Sequence, residues 1–142
     1  MKKLKILGSR EKEAALKEPC SMFGIDARQF ADCVLLEDRD ELWIVRRDCL
    51  AYDLRDIPVE SVGMLFARKK HGIHLTVNAV QLFFSNATKN TLSLTREEAR
   101  EFIRGASVRT QLPDGEYLTF WEKSALDLGV VRANTLLRKN KT

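Results

Sequence analysis

Histidine, proline and cysteine are scarce in this chain of 142 residues, which holds two His, three Pro and three Cys. The imidazoles fall together in His71-Gly72-Ile73-His74, which leaves little choice of general base, and a zinc site built on them would need further ligands from distant cysteines or carboxylates. Cys20, Cys33 and Cys49 are odd in number and form no C-x-x-C pair, against both a disulfide framework and a compact thiolate metal site. Cys33 beside Asp32 and Cys49 beside Asp48 have no adjacent base or positive field to generate a thiolate, so core packing is the expected role of the thiols. No nucleophile elbow, Walker, dinucleotide-binding or H-E-x-x-H motif occurs. The expectation is a protein without catalytic residues, metal or cofactor. No apolar run approaches the roughly 18 to 20 residues that cross a bilayer, and Met1 to Gly8 is too short for the apolar region of a signal peptide. A cytoplasmic protein with no membrane partner is expected.

What is present is enough apolar residue, 44%, to bury a real core, and a well-punctuated stretch from Ala87 to Val108. The residues from Ala87 up to Thr95 read as a strand. Thr95 and Glu98 have the T-x-x-E spacing in which the hydroxyl accepts from one backbone N–H while the carboxylate accepts from the other. Ala99, Phe102 and Ile103 then share one helical face, and Gly105 stands where a left-handed residue ends a helix without steric cost. The pattern is strand, capped helix, glycine turn, strand.

Elsewhere the punctuation is uneven. Lys2 to Leu7 reads as a strand, Ser9 as the cap of a helix with Glu11 and Glu13 in its first turn, and Pro19 as its end or bend. A turn or short helix follows at Asp26 to Asp32, then two strands, Cys33 to Leu36 and Leu42 to Val45, joined as a hairpin through an acidic turn. Arg47 to Leu54 is open between helix and extended chain, and Pro58 punctuates it. Val62 to Ala67 reads as a strand leading into a basic loop, Arg68 to Gly72. Thr76 to Ser85 has no polar face, so as a helix it would be buried on nearly all sides, between the two halves of the chain. Strands are expected at Ala106 to Arg109, Tyr117 to Trp121, Leu126 to Val131 and Thr135 to Leu137, with a turn at Pro113-Asp114-Gly115.

Charge is the functional clue. The net +4 is modest, but no carboxylate occurs between Glu60 and Glu97 or after Asp127, while Glu37 to Glu41 concentrates acid in the first half. Two acid-free runs that met in space would form a patch suited to phosphate oxygens. The candidate contacts are Arg68, Lys69 and Lys70 in the loop, Lys89 and Asn90 before the capped helix, Arg104 and Arg109 flanking the glycine turn, and Arg132, Arg138 and Lys139 near the end. Arg104 serves equally as a cation at a helix C-terminus, and Asn90 as a turn or capping residue. Among the aromatics, most of which read as core, Trp121 beside Glu122-Lys123 is the best candidate for an exposed base-stacking ring.

The runs Leu75-Thr76, Ala79 to Phe83 and Ala87-Thr88-Lys89-Asn90, the helix from Thr95, the turn Gly105-Ala106-Ser107-Val108 and the later Leu126 to Val130 together resemble a PUA-like domain. From about Phe23 to Arg132 the chain is similar to the small archaeal proteins related to the C-terminal region of Sun/Fmu-type RNA cytosine-5 methyltransferases, a ribosome-biogenesis family. Arg109-Thr110-Gln111-Leu112 stands where the usual PUA pattern places a proline-glycine pair. The resemblance implies an α+β protein in which an N-terminal small α/β domain, residues 1–87, precedes a PUA-like mixed β-barrel, residues 88–142, that binds RNA. The methyltransferase's cofactor-binding and catalytic-cysteine segments have no counterpart, so methyl transfer is not implied. The expected function is non-enzymatic recognition of structured rRNA or tRNA by shape and phosphate contacts, as an accessory factor in ribosome biogenesis or RNA modification. The alternative is a protein-interaction module that docks on a ribosome-assembly factor or a methyltransferase in trans through the Glu37 to Glu41 edge or an apolar patch.

Overall fold

A computed structural model describes residues 4–51 and 63–140. The expected features at Lys2 and Lys3, Tyr52 to Leu54, Pro58, Val62 and Lys141 lie outside the described residues. The protein is α+β, with three α-helices and two five-stranded sheets among the described residues. It divides into two compact units, one from Met1–Ser21 and Ile25–Ala79, the other from Met22–Gly24 and Val80–Thr142.

In the first unit an antiparallel sheet runs in the order β1 (Lys5–Ile6), β2 (Cys33–Asp38), β3 (Glu41–Arg46), β4 (Met64–Lys69) and β5 (Ile73–Leu75). The expected hairpin is β2 and β3, with Leu36 opposite Trp43 and Val34 opposite Val45. Those four side chains pack with Leu4, Leu50 and Leu65 on one face, while Leu35 and Ile44 alternate to the other. Burial of both faces explains why these strands read as continuous apolar runs. The rings of Phe30 and Phe66, both fully buried, meet edge to face at 5.7 Å. Short 3-10 turns at Ala27–Phe30, capped by the Asp26 carboxylate, and at Arg47–Ala51 occupy the stretches expected as a short helix and left open.

Helix α1 (Ser9–Phe23) corrects two expectations. Gly8 rather than Ser9 supplies the first carbonyl, which accepts from Lys12 at 2.9 Å. Pro19 does not end the helix, which runs on to Phe23: Pro19, Cys20 and Phe23 are all buried, and that burial offsets the roughly 3 kcal/mol a mid-helix proline costs. The stop is Gly24, at φ 66°. A further correction concerns α2 (Val77–Phe83), which is shorter than expected and not buried on all sides: Ala79 and Val80 are buried, but Asn78 and Gln81 are exposed and Leu82 is 68% exposed.

The second unit's sheet has the order β6 (Thr91–Leu94), β8 (Gly115–Trp121), β9 (Ser124–Arg132), β10 (Thr135–Arg138) and β7 (Val108–Arg109), with β6 parallel to β8 and every other pair antiparallel. Helix α3 (Arg96–Ile103) carries the chain from one edge strand to the other. Its start is the expected capping box, with Glu98 N–H donating to Thr95 Oγ1 and Thr95 N–H to Glu98 Oε1, and Gly105 follows its end at φ 88°. Ala99 and Phe102 pack on Leu94, Val108, Val131 and Leu136 of the sheet, whereas Ile103, expected on the same face, is 40% exposed. Gly129 lies under this contact: a Cβ there would come within 3.1 Å of Phe102 and 2.6 Å of Leu136.

The end of α1 is clamped within the second unit. Thr88 and Lys89 N–H both donate to the carbonyl of Phe23, Asn90 Nδ2 donates to that of Met22 at 2.7 Å, and Phe23 meets Phe84 edge to face at 6.1 Å. Gly24 is required here twice over, since a Cβ would fall 2.1 Å from Thr88 Oγ1 and the residue is left-handed. Gly24→Ala is therefore expected to destabilise the fold by well over the roughly 1–2 kcal/mol of left-handed strain alone, and Gly105→Ala, with open space around its Cβ, by about that strain only. Urea denaturation of both variants checks the contrast.

Candidate nucleic-acid interface

The first basic run forms a loop tip only from Lys70 to Gly72. Arg68 and Lys69 belong to β4, which turns at Lys70, His71 and Gly72 into β5, a strand absent from the sequence-based expectation. Because β4 lies antiparallel to β3, it is brought against the acidic hairpin. Arg68 stands opposite Glu41 in register, and Lys69 Nζ is 2.7 Å from Glu37 Oε1 while its backbone N–H donates to the backbone carbonyl of Asp40. The acid-free run in sequence is thus compensated in space at Lys69, and Lys70 is exposed with no ion pair among the described residues.

In the second unit several candidates are committed to holding the fold. Asn90 Nδ2 is spent on the Met22 carbonyl, and its backbone is left-handed at φ 53°. Arg104 is the C-cap residue of α3 and lies 3.6 Å from Glu101, both side chains largely in solvent. Lys139 pairs with Glu116 at 2.8 Å. Arg138 is the clearest case. Its Nε donates to Asp127 Oδ2 at 2.7 Å, its Nη1 to the carbonyl of Ile103 at 2.9 Å, and its side chain is only 11% exposed against a fully buried Asp127. The other Asp127 oxygen accepts from Leu128 N–H and from Asn140 Nδ2, and the Asp127 carbonyl accepts from Thr119. This network closes the C-terminal end of α3 onto β9 and β10.

Arg109 and Arg132 are different. Thr135 is the register partner of both, so Arg109 on β7, Thr135 on β10 and Arg132 on β9 form one row across three neighbouring strands. The next row, Val108, Leu136 and Val131, is buried beneath α3, so the arginine row faces away from the helix. The two Arg backbones are two strand spacings apart, about 10 Å. Both side chains are exposed, and neither is in an ion pair among the described residues. The nearby Asp114 carboxylate accepts from Ala133 N–H. Leu137, 49% exposed, continues the same face along β10. Lys89 and Arg68 are likewise exposed with no ion pair among the described residues. Thr135 was not among the sequence candidates. The two-residue turn Ala133-Asn134, at φ 49° and 62°, was the available signal, since such a turn fixes Arg132 opposite Thr135. Nothing local announces the pairing of β7 with β10.

The thiols are Cys20, buried, and Cys33 and Cys49, half-buried, all free. Burial pushes the Cys20 and Cys33 thiols up, with the nearby Asp26 adding to the effect at Cys20 and Lys12 opposing it at Cys33. His74 Nε2 is bonded to the carbonyl of Lys70, and no cluster of His, Cys, Asp and Glu suited to a metal ion occurs among the described residues.

Removing either partner of the buried pair leaves the other charge uncompensated. Asp127→Ala and Arg138→Ala are each expected to cost about 3–5 kcal/mol, while Arg109→Ala and Arg132→Ala stay within about 0.5 kcal/mol of the parent. Denaturant titration separates the two classes, and small effects throughout would reduce the buried pair to an ordinary surface bridge. Compared with known proteins, the chain matches no family model and no curated protein sequence.

Proposed function

We propose that this protein is a non-enzymatic RNA-binding protein, with a PUA-like second unit that grips structured rRNA or tRNA by its backbone, acting as an accessory factor in ribosome biogenesis or RNA modification. The observation that carries the reading is the row Arg109, Thr135, Arg132. Guanidinium groups present planar forks to phosphate oxygens, and two of them held on the strands either side of β10, with no carboxylate paired to either among the described residues, offer a ready pair of phosphate contacts. The resemblance of the strand, capped helix and glycine turn to PUA-like proteins supports the same class of partner. The protein-docking alternative loses some support at the Glu37 to Glu41 edge, because Lys69 is already paired with Glu37.

The test is a titration of rRNA and tRNA fragments against the parent chain and the Arg109→Ala, Arg132→Ala double variant at several salt concentrations. Two lost phosphate contacts lower the magnitude of the log–log salt slope by about 1.4 on single strands and about 1.8 on duplex, with weaker binding to all fragments alike. Equal affinities and equal slopes would remove the row from the interface.

A further inference from the structure

We propose that Trp121 is a stacking platform for an unpaired base, an inference that rests on the RNA-binding reading above and specifies the kind of RNA bound. Trp121 is 39% exposed, whereas Trp43 is 8% exposed and packed in the first unit's core. Every other aromatic among the described residues is buried or half-buried, and Tyr117 has its hydroxyl bonded to Pro113. Trp121 ends β8, between Leu94 of β6, its buried register neighbour on one side, and Ser124 of β9 on the other. Leu94 belongs to the core beneath α3, and a serine is too short to cover an indole, so the ring has a rigid apolar neighbour on one flank and solvent on the other.

The surrounding charge chooses the mode of contact. Arg96 opens α3 directly after Leu94 and Thr95, and Lys123 sits in the β8–β9 turn; both are exposed and neither is in an ion pair among the described residues. Glu97 and Glu122 accompany them, so the local field is close to balanced. Phosphate attraction at this end of the sheet is weak, and the exposed π-face is the feature that discriminates. An indole accepts any base, but only one that is not already stacked in a duplex. The RNA class implied is therefore one with an unpaired loop, bulge or end.

The experiment compares a stem-loop RNA with a blunt duplex of matched composition, using the full chain, Trp121→Ala and Trp121→Phe over a range of salt. Trp121→Ala is expected to weaken stem-loop binding by roughly 5- to 150-fold, the equivalent of one lost base–aromatic stack. Duplex affinity and the salt slope stay unchanged, and Trp121→Phe keeps part of the affinity. In the parent, the stem-loop quenches the exposed indole emission and the duplex does not. Unchanged stem-loop affinity in Trp121→Ala overturns the proposal while leaving RNA binding intact; a parent that binds neither RNA at low salt overturns both readings. Should Trp121→Ala fail to fold, absence of indole quenching by bound stem-loop in the parent overturns the proposal alone.

Discussion

The buried pair of Asp127 and Arg138 is the constraint on which the register of the second unit's sheet depends. A carboxylate with no solvent exposure is tolerable only when its oxygens are satisfied, and here Arg138, Asn140 and Leu128 N–H do so. The pairing is directional. It fixes Arg138 of β10 opposite Gly129 of β9, and through the Ile103 carbonyl it anchors the end of α3 over the same face of the sheet. A slip of β10 by one residue would break those bonds and also turn Thr135 and Leu137 inward and Leu136 outward. The exposed row of Arg109, Thr135 and Arg132 is therefore a by-product of a register held from the opposite face.

The same register explains why linear charge patterns mislead. A run without carboxylates says only that its own residues do not neutralise one another. Antiparallel pairing then supplies partners from remote sequence: Glu37 reaches Lys69 across 32 residues, and Asp127 takes Arg138 from the hairpin beside it. What decides whether a cation is available is the strand face it occupies. Arg138 follows Arg132 by six positions, an even separation, yet the Ala133-Asn134 turn lies between them and puts the two arginines on opposite faces of the sheet.

Features set by contacts within a few residues were legible. The capping box at Thr95 and Glu98, the stop at Gly105, the hairpin of β2 and β3 and the turn before β8 depend on local donors, backbone angles and alternation, all of which sequence displays. Features set by burial elsewhere were not. Pro19 reads as a breaker, but buried neighbours carry the helix past it to Gly24. Leu82 and Ile103 read as core by composition and spacing, and both lie substantially in solvent because α2 and α3 are only seven and eight residues long and each buries a narrow stripe. Strand β5 has three residues and is recognisable only from its pairing with β4. At the candidate site, the arginines were visible as basic residues, while Thr135 and the row itself required the non-local pairing of β7 with β10.

The number of open cations bounds what electrostatics can accomplish. Proteins that make phosphate contacts the basis of tight binding neutralise on the order of six to ten of them, whereas the candidates without an ion pair among the described residues are Arg68, Lys70, Lys89, Arg109 and Arg132, split between two units. On the proposed reading, two phosphate contacts at the arginine row would give an attraction that is sequence-independent and strongly weakened by physiological salt. Selectivity must then come from terms that salt does not screen: apolar contact along Leu137 and stacking on an exposed ring. On the proposed RNA-binding reading, a surface of this composition would favour RNA whose backbone is presented at a fixed spacing and whose bases are partly unstacked over long regular duplex, where the phosphates are reachable but the bases are not.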